Sequence, residues 1–225
     1  MFEKLRSRWT KIIHPLVVRM GDLDPSVLTW SSLVLAIGSF YIIAGAEMDG
    51  GGAIGIILAI ILILLASILD ALDGALARHQ GSDGPYGDFL DHTIDRVVDI
   101  GILLAIGANA SFVDGATSGA IAALMTLCGS YMGTQAQSVG LGRIYGGFSR
   151  ADRLVITLLA LMGAAWQAQS GTSGIEVLEM GDYVKWLMLG NSELNGMTLA
   201  LVVSAWGGVY TFIARFFSAR RLLLQ

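Results

Sequence analysis

Long runs of apolar residues constrain this chain more than any other feature of its sequence. A helix needs about 20 predominantly apolar residues to cross a bilayer, and six stretches of roughly that length follow one another: 26–46, 52–78, 86–109, 115–140, 152–168 and 194–217. Apolar residues make up 54% of the 225 residues and charged residues only 14%, so lipid must solvate much of the surface. We therefore predict an all-α integral membrane protein with six transmembrane helices.

The segment before these stretches has a different pattern. In residues 1–20, Phe2, Leu5 and Trp9 recur at helical spacing while lysines and arginines occupy the other faces. This pattern predicts an N-terminal amphipathic helix that lies in the membrane interface. The segment lacks the apolar core and cleavage site of a signal peptide, so we expect it to be retained.

The positions of lysine and arginine predict the orientation, because positive residues are kept on the cytoplasmic side of a membrane. With six spans, all basic residues except Lys185 fall on one side: Lys4, Arg6, Arg8, Lys11, Arg19, Arg78, Arg96, Arg143, Arg150, Arg153, Arg215, Arg220 and Arg221. The opposite loops are acidic, and the longest of them, 168–193, could hold a short amphipathic helix around 177–189. We expect a multi-pass protein of the cell membrane with both termini in the cytoplasm.

Composition limits the domain organisation and the partners. We see no internal repeat, and we predict a single membrane domain over residues 1–225 with its six-helix bundle at 26–217. The net charge of −4 gives no general basic surface, so we expect no nucleic acid partner. The single cysteine, Cys128, excludes an intramolecular disulfide.

Aspartates are concentrated where the second stretch ends and the third begins. Asp70 and Asp73 are three residues apart and Asp91 and Asp95 are four apart, so on helices each pair projects from one face. Carboxylates within a membrane are costly and are normally paired, hydrated or liganded. Four converging carboxylates would repel one another unless hard cations lay between them, and two ions about 3.5 to 4 Å apart are a recurring device for phosphoryl chemistry. We predict a divalent metal site, and the lack of Cys or His pairs at ligand spacing argues against zinc.

Small and basic residues accompany the aspartates. Gly74 and Ala77 present almost no side chain, which leaves space for a bulky ligand, and Arg78 lies one turn beyond Gly74, where it could bind phosphate. The arrangement predicts a pocket for a nucleotide phosphate.

Together these residues resemble a known family. The chain contains Asp70-x2-Asp73-Gly74-x2-Ala77-Arg78-x8-Gly87-x3-Asp91-x3-Asp95, and these eight positions match the signature of the CDP-alcohol phosphotransferases, also called CDP-alcohol phosphatidyltransferases. One position nearby departs from the family: Pro25-Ser26-Val27-Leu28-Thr29 stands where Pro-Asn-x-Leu-Thr is often found.

The resemblance implies a phospholipid-synthesising transferase. An alcohol would attack the lipid-side phosphorus of a CDP-lipid, either CDP-archaeol or CDP-diacylglycerol, and CMP would leave. Two cations, Mg²⁺ or Mn²⁺, would be held by Asp70, Asp73, Asp91 and Asp95. The catalytic residues would be Asp91 and Asp95, with Asp95 as the candidate general base. The CDP moiety would lie against Gly74, Ala77, Arg78 and Gly87, and the protein would be a homodimer.

The acceptor is less constrained by the sequence. Arg143, Arg150 and Arg153 in the linker between the fourth and fifth stretches could bind a phosphate on the acceptor. Alternatively, they only follow the positive-inside rule, or Asp152 pairs with one of them. The stretch resembles archaeal members of the family that make archaetidylinositol phosphate, which favours inositol phosphate as the acceptor.

Other interpretations stay open. The acceptor could be glycerol 3-phosphate, or serine or another free alcohol. A protein of another class, a metal-ion transporter, would also need membrane carboxylates. We expect His92 to be packed or hydrogen-bonded rather than catalytic. Asp88 and Asp99 are expected to support the metal ligands or to lie at helix ends.

Overall fold

The computed structural model describes residues 15–142, 144, 146–177 and 181–225, apart from the side chain of Asp182. Residues 15–20 are helical, and the remainder of the predicted interfacial helix lies outside the described residues. The further helices are α1 Pro25–Gly45, α2 Gly50–Gln80, α3 Pro85–Gly107, α4 Ala116–Ser138, α5 Arg150–Ser170, α6 Asp182–Leu187 and α7 Gly196–Leu223. Two strands, β1 Ile175–Glu176 and β2 Glu193–Leu194, pair antiparallel between α5 and α7. The prediction of a mainly helical protein is confirmed.

Each of the six apolar stretches coincides with a helix of 21 to 31 residues. By length and composition, the described helices that qualify as candidate membrane spans are α1, α2 and α7. Large apolar side chains are exposed along the helices; Val34, Ile54 and Leu159 are each 68% exposed. Such exposure is unfavourable in water and is expected where lipid contacts the protein.

The chain divides into two compact units. One comprises the described residues up to Gly38 together with Ile61–Val98, and the other comprises Ser39–Ile60 and Asp99–Gln225.

In the first unit, the segment before α1 packs against the second half of α2. Val17 and Leu28 are buried with Leu72 and Leu76 of α2. The side-chain amide of Gln80 donates hydrogen bonds of 2.9 Å to the carbonyls of Gly21 and Leu23. This segment and the aspartate-bearing half of α2 are therefore held together by both apolar burial and hydrogen bonds.

In the second unit, α7 packs on α4 and α5. Gly208 allows a close crossing with α4, because a Cβ at this position would lie 2.5 Å from the backbone carbon of Met125. Asn109, which is fully buried, donates to the carbonyls of Ile43 at 2.7 Å and Ala46 at 2.8 Å. Small residues and buried amides thus replace large apolar side chains where helices meet, as is common in membrane proteins.

Candidate functional site

Asp73 is the most enclosed member of the aspartate motif on α2. Its side chain is 6% exposed, and its Oδ2 accepts a 2.5 Å hydrogen bond from Oγ1 of Thr29 on α1, which is 4% exposed. The negative charges of Asp70 and Asp91 act on the same carboxylate. The fold therefore brings Asp70, Asp73 and Asp91 together although they belong to two helices.

Asp91 and Asp95 lie on one face of α3, as their spacing predicts. One ligand atom each from Asp91, His92 and Asp95 can be chosen so that all three lie within 4.8 Å of one another. Nδ1 of His92 lies 3.3 Å from Oδ2 of Asp91, and Asp95 is 8% exposed. His92 was expected to be packed or hydrogen-bonded, and it forms a contact with a predicted metal ligand.

The donor set in this first unit fits hard divalent cations. The carboxylate oxygens of Asp70, Asp73, Asp91 and Asp95 are the ligand type that Mg²⁺ and Mn²⁺ prefer. Clustered carboxylates repel one another, and a bound cation would relieve that repulsion. Thr29 supplies the kind of hydrogen bond that orients a ligating carboxylate.

The residues predicted to bind the nucleotide lie close to the aspartates in sequence. Two of them, Gly74 and Arg78, also lie next to each other in the structure. A Cβ at Gly74 would lie 3.2 Å from Nη1 of Arg78, so the guanidinium folds back over the glycine as the one-turn spacing predicts. Gly87 is exposed, and a Cβ there would meet no atom within 4 Å. Ala77 is partly buried. A basic group therefore lies over Gly74, a residue without a side chain, which suits a phosphate.

Two of the predicted acceptor arginines, Arg150 and Arg153, bind Asp99. Nη2 of Arg153 donates to Oδ2 of Asp99 at 2.7 Å, and Nε of Arg150 donates to Oδ1 at 3.3 Å. Asp152 instead caps α5 through a reciprocal pair of hydrogen bonds with Ser149. Arg143 lies outside the described residues. The positive charge of Arg153 also attracts the Asp152 carboxylate, in addition to the hydrogen bonds from Ser149.

The segment that precedes α5 is fixed on α7 by residues that the sequence analysis did not single out. The backbone N–H of Phe148 donates to Oγ1 of Thr211 at 2.8 Å, and Gly147 fits closely against the same threonine. Nε of Arg215 donates to the carbonyl of Gly146 at 3.4 Å, and its Nη1 donates to the carbonyl of Gly129 on α4 at 2.9 Å. Arg215 is 69 residues from Gly146 in the sequence, so no local pattern indicated this contact.

Known proteins resemble this chain in sequence and in fold. Residues 23–188 match the family model described as CDP-alcohol phosphatidyltransferase. The archaetidylinositol phosphate synthase of Methanothermobacter thermautotrophicus is 34% identical over 158 residues, which cover 70% of this chain and 75% of that protein. The phosphatidylinositol phosphate synthase of Cutibacterium acnes is 28% identical over 167 residues, covering 72% and 77%.

Solved structures show the same fold. The crystal structure of the Mycobacterium tuberculosis phosphatidylinositol phosphate synthase with CDP-DAG bound superposes with a TM-score of 0.67 at 22% identity, covering 94% of each chain. The structure of the same enzyme with manganese and citrate gives a TM-score of 0.68 at 21% identity, covering 94% of this chain and 88% of the other.

Proposed function

We propose that this chain, which belongs to the CDP-alcohol phosphatidyltransferase family, transfers a lipid phosphate from a CDP-lipid to inositol phosphate and releases CMP. Membership rests on the family match over residues 23–188. The observation that carries the proposal is the convergence of Asp70, Asp73 and Asp91, with Asp95 beside Asp91. The chain would then be an enzyme of phospholipid biosynthesis.

The chemistry follows from the residues of the motif. Two divalent cations, held by Asp70, Asp73, Asp91 and Asp95, would neutralise negative charge on the pyrophosphate. Arg78 would bind a phosphate of the CDP moiety above Gly74, and Ala77 and Gly87 would leave room for the nucleotide. The manganese complex of the M. tuberculosis enzyme supports the choice of metal.

In the transfer itself, a hydroxyl oxygen of the acceptor bonds to the lipid-side phosphorus while the bond from that phosphorus to the CMP oxygen breaks. Asp95 takes the hydroxyl proton as general base. Asp91, on the same face of α3, orients the hydroxyl group. CMP leaves with the electron pair of the broken bond. The buried position of Asp95 keeps water away from the proton transfer.

The acceptor is inferred from charge. The guanidinium groups of Arg150 and Arg153 meet at Asp99, and the Arg150 side chain is 31% exposed, so that its remaining N–H groups could reach a phosphate. Arg143 would add a further cation. The names of the relatives, archaetidylinositol phosphate synthase and phosphatidylinositol phosphate synthase, support an inositol phosphate acceptor.

We further propose the arrangement in the membrane. Residues 1–225 would form one domain, with the amphipathic helix at 1–20 in the interface and six spans between 26 and 217. The active site and both termini would face the cytoplasm, and two copies would form a homodimer. The asymmetric distribution of lysine and arginine supports this orientation.

The decisive experiment is CMP release by the purified protein. The assay combines CDP-diacylglycerol or CDP-archaeol with Mg²⁺ or Mn²⁺ and, separately, inositol phosphate, glycerol 3-phosphate, serine or free inositol. We expect turnover with inositol phosphate and loss of activity with a chelator. Asp95→Asn should lower turnover by about 10²- to 10⁴-fold, whereas Asp83→Asn, an exposed charge change in the linker before α3, should leave it intact.

Each alternative has its own result in that assay. Turnover only with glycerol 3-phosphate or serine would show that the proposed acceptor is wrong and that the proposed type of reaction is right. Absence of CMP with every acceptor, together with metal-dependent ion flux in vesicles, would replace the transferase by a transporter.

A further inference from the structure

An apolar groove lies beside the segment that joins α5 to α7. We call it the loop groove. Its walls are Ile121 and Met125 of α4, Trp206 and Val209 of α7, and Lys185 and Trp186 of α6. Its volume of about 420 Å³ falls within the range of small-molecule sites, roughly 300 to 1,000 Å³.

The groove is held open by hydrogen bonds and ring contacts. Nε1 of Trp206 donates to the carbonyl of Leu187 at 2.9 Å, and the rings of Trp186 and Trp206 pack with centroids 5.3 Å apart at 60°. Asn191, which is 1% exposed, donates its amide to the carbonyl of Met188 at 2.8 Å. These contacts fix α6 against α7, so the groove is a preformed feature of the fold.

One wall of the groove belongs to a helix that qualifies as a membrane span by length and composition. Trp206 lies ten residues after Gly196, about 15 Å along a helix, within a helix long and apolar enough to cross a membrane. The walls formed by Ile121, Met125 and Val209 offer few polar groups. A hydrocarbon chain is therefore better suited to this space than a water-soluble ligand.

One cation lies at this groove. Lys185 is the only lysine or arginine between Arg153 and Arg215. Its side chain is exposed, and it forms no ion pair with any side chain that the structure describes. A lysine can extend from an apolar surface so that its ammonium reaches the headgroup region. A phosphate is the complementary group at that level.

We propose that the loop groove binds one anionic phospholipid of the surrounding leaflet, with a hydrocarbon chain between Met125 and Trp206 and the phosphate at Lys185. The bound lipid would hold α6 on α4 and α7. This site is independent of the transferase activity proposed above, because none of its residues belongs to the aspartate motif or to the arginine cluster.

The test uses the groove tryptophans as reporters. In a background with Trp9, Trp30 and Trp166 replaced by Phe, only Trp186 and Trp206 fluoresce. The protein is reconstituted in phosphatidylcholine vesicles that contain increasing fractions of brominated phosphatidylglycerol or brominated phosphatidylcholine. Half-maximal quenching is expected at about fivefold lower fraction of the anionic lipid, the effect of one lysine at an anionic lipid surface.

Three variants separate specific binding from general lipid contact. Lys185→Gln should abolish the preference for the anionic lipid and Lys185→Arg should retain it. Arg220→Gln, which removes one charge at the exposed C-terminal end of α7, should also retain it. Val209→Phe narrows the groove and should weaken quenching by both lipids. CMP release checks that each variant is folded.

Two results would overturn the proposal. Equal quenching by the two lipids, unchanged in Lys185→Gln, would mean that only bulk lipid contacts the groove. Absence of quenching by either lipid would mean that protein, such as a second copy of the chain, covers it.

Discussion

Thr29 is a small side chain with a specific partner. Its hydroxyl donates to the buried carboxylate of Asp73 at 2.5 Å, and no similarly sized apolar residue can do so. A hydrogen bond of this kind fixes the orientation of a ligating carboxylate and is often worth as much as a factor of ten or more in metal affinity.

We therefore predict that Thr29→Val, which keeps the side-chain shape, weakens activation by Mn²⁺ about 10- to 100-fold. Thr29→Ser keeps the hydroxyl, so its activation by Mn²⁺ should be close to that of the original protein. The measurement is the Mn²⁺ concentration at half-maximal CMP release. If Thr29→Val and Thr29→Ser need the same Mn²⁺ concentration for half-maximal CMP release, the hydroxyl of Thr29 has no role in metal binding.

Arg153 and Arg150 share one carboxylate but differ in exposure. The side chains of Arg153 and Asp99 are 9% and 13% exposed, whereas that of Arg150 is 31% exposed. Arg153 also donates to the carbonyl of Phe148 at 3.3 Å, so its removal takes hydrogen bonds from two acceptors. The more exposed contact of Arg150 contributes less.

We expect Arg153→Gln to destabilise the fold by about 1 to 3 kcal/mol and Arg150→Gln by less than about 1 kcal/mol. Thermal unfolding in detergent measures both. If Arg150 also binds the acceptor, Arg150→Gln raises KM for inositol phosphate without changing KM for the CDP-lipid. Unchanged KM for both substrates would assign Arg150 a structural role alone.

Helices α4 and α7 approach each other through glycine. At Gly208 a methyl group would lie 2.5 Å from the backbone carbon of Met125, whereas at Gly163 on α5 it would meet no atom within 4 Å. The same substitution therefore has opposite expected effects in two helices of the second unit.

Gly208→Ala should destabilise the protein by about 1 to 3 kcal/mol, because the two helix backbones must separate. Gly163→Ala should leave stability unchanged or raise it by up to about 1 kcal/mol, because alanine has the higher helix propensity. Thermal unfolding of both variants in the same detergent makes the comparison. A stable Gly208→Ala protein would show that this crossing tolerates a wider separation.

The orientation of the whole molecule in the membrane can be tested by cysteine labelling. We replace Cys128 by Ser and introduce one cysteine at a time at Asp49, Ser173, Ser82 or Gln225. With six spans and cytoplasmic termini, an impermeant maleimide added to intact cells should label only the positions at Asp49 and Ser173. Ser82 and Gln225 should react only after permeabilisation. Labelling of Gln225 in intact cells would contradict a cytoplasmic C-terminus.

The sequence by itself determined the elements and the chemistry of the motif. Runs of about 20 apolar residues predicted the long helices, because backbone polar groups in lipid must be satisfied within each segment. The spacing of three and four between aspartates placed Asp91 and Asp95 on one face, since helical periodicity is a local property. The helix within 177–189 was also anticipated and is observed at Asp182–Leu187.

Only the tertiary structure decided which distant groups meet. Thr29 is 44 residues from Asp73, and Asp99 is 51 and 54 residues from its two arginines. Asp99 is bound by both arginines, and the sequence did not indicate that partnership. The loop groove likewise depends on α6 folding back onto Trp206. Such contacts depend on how each helix is rotated against its neighbours, and local periodicity does not encode that rotation.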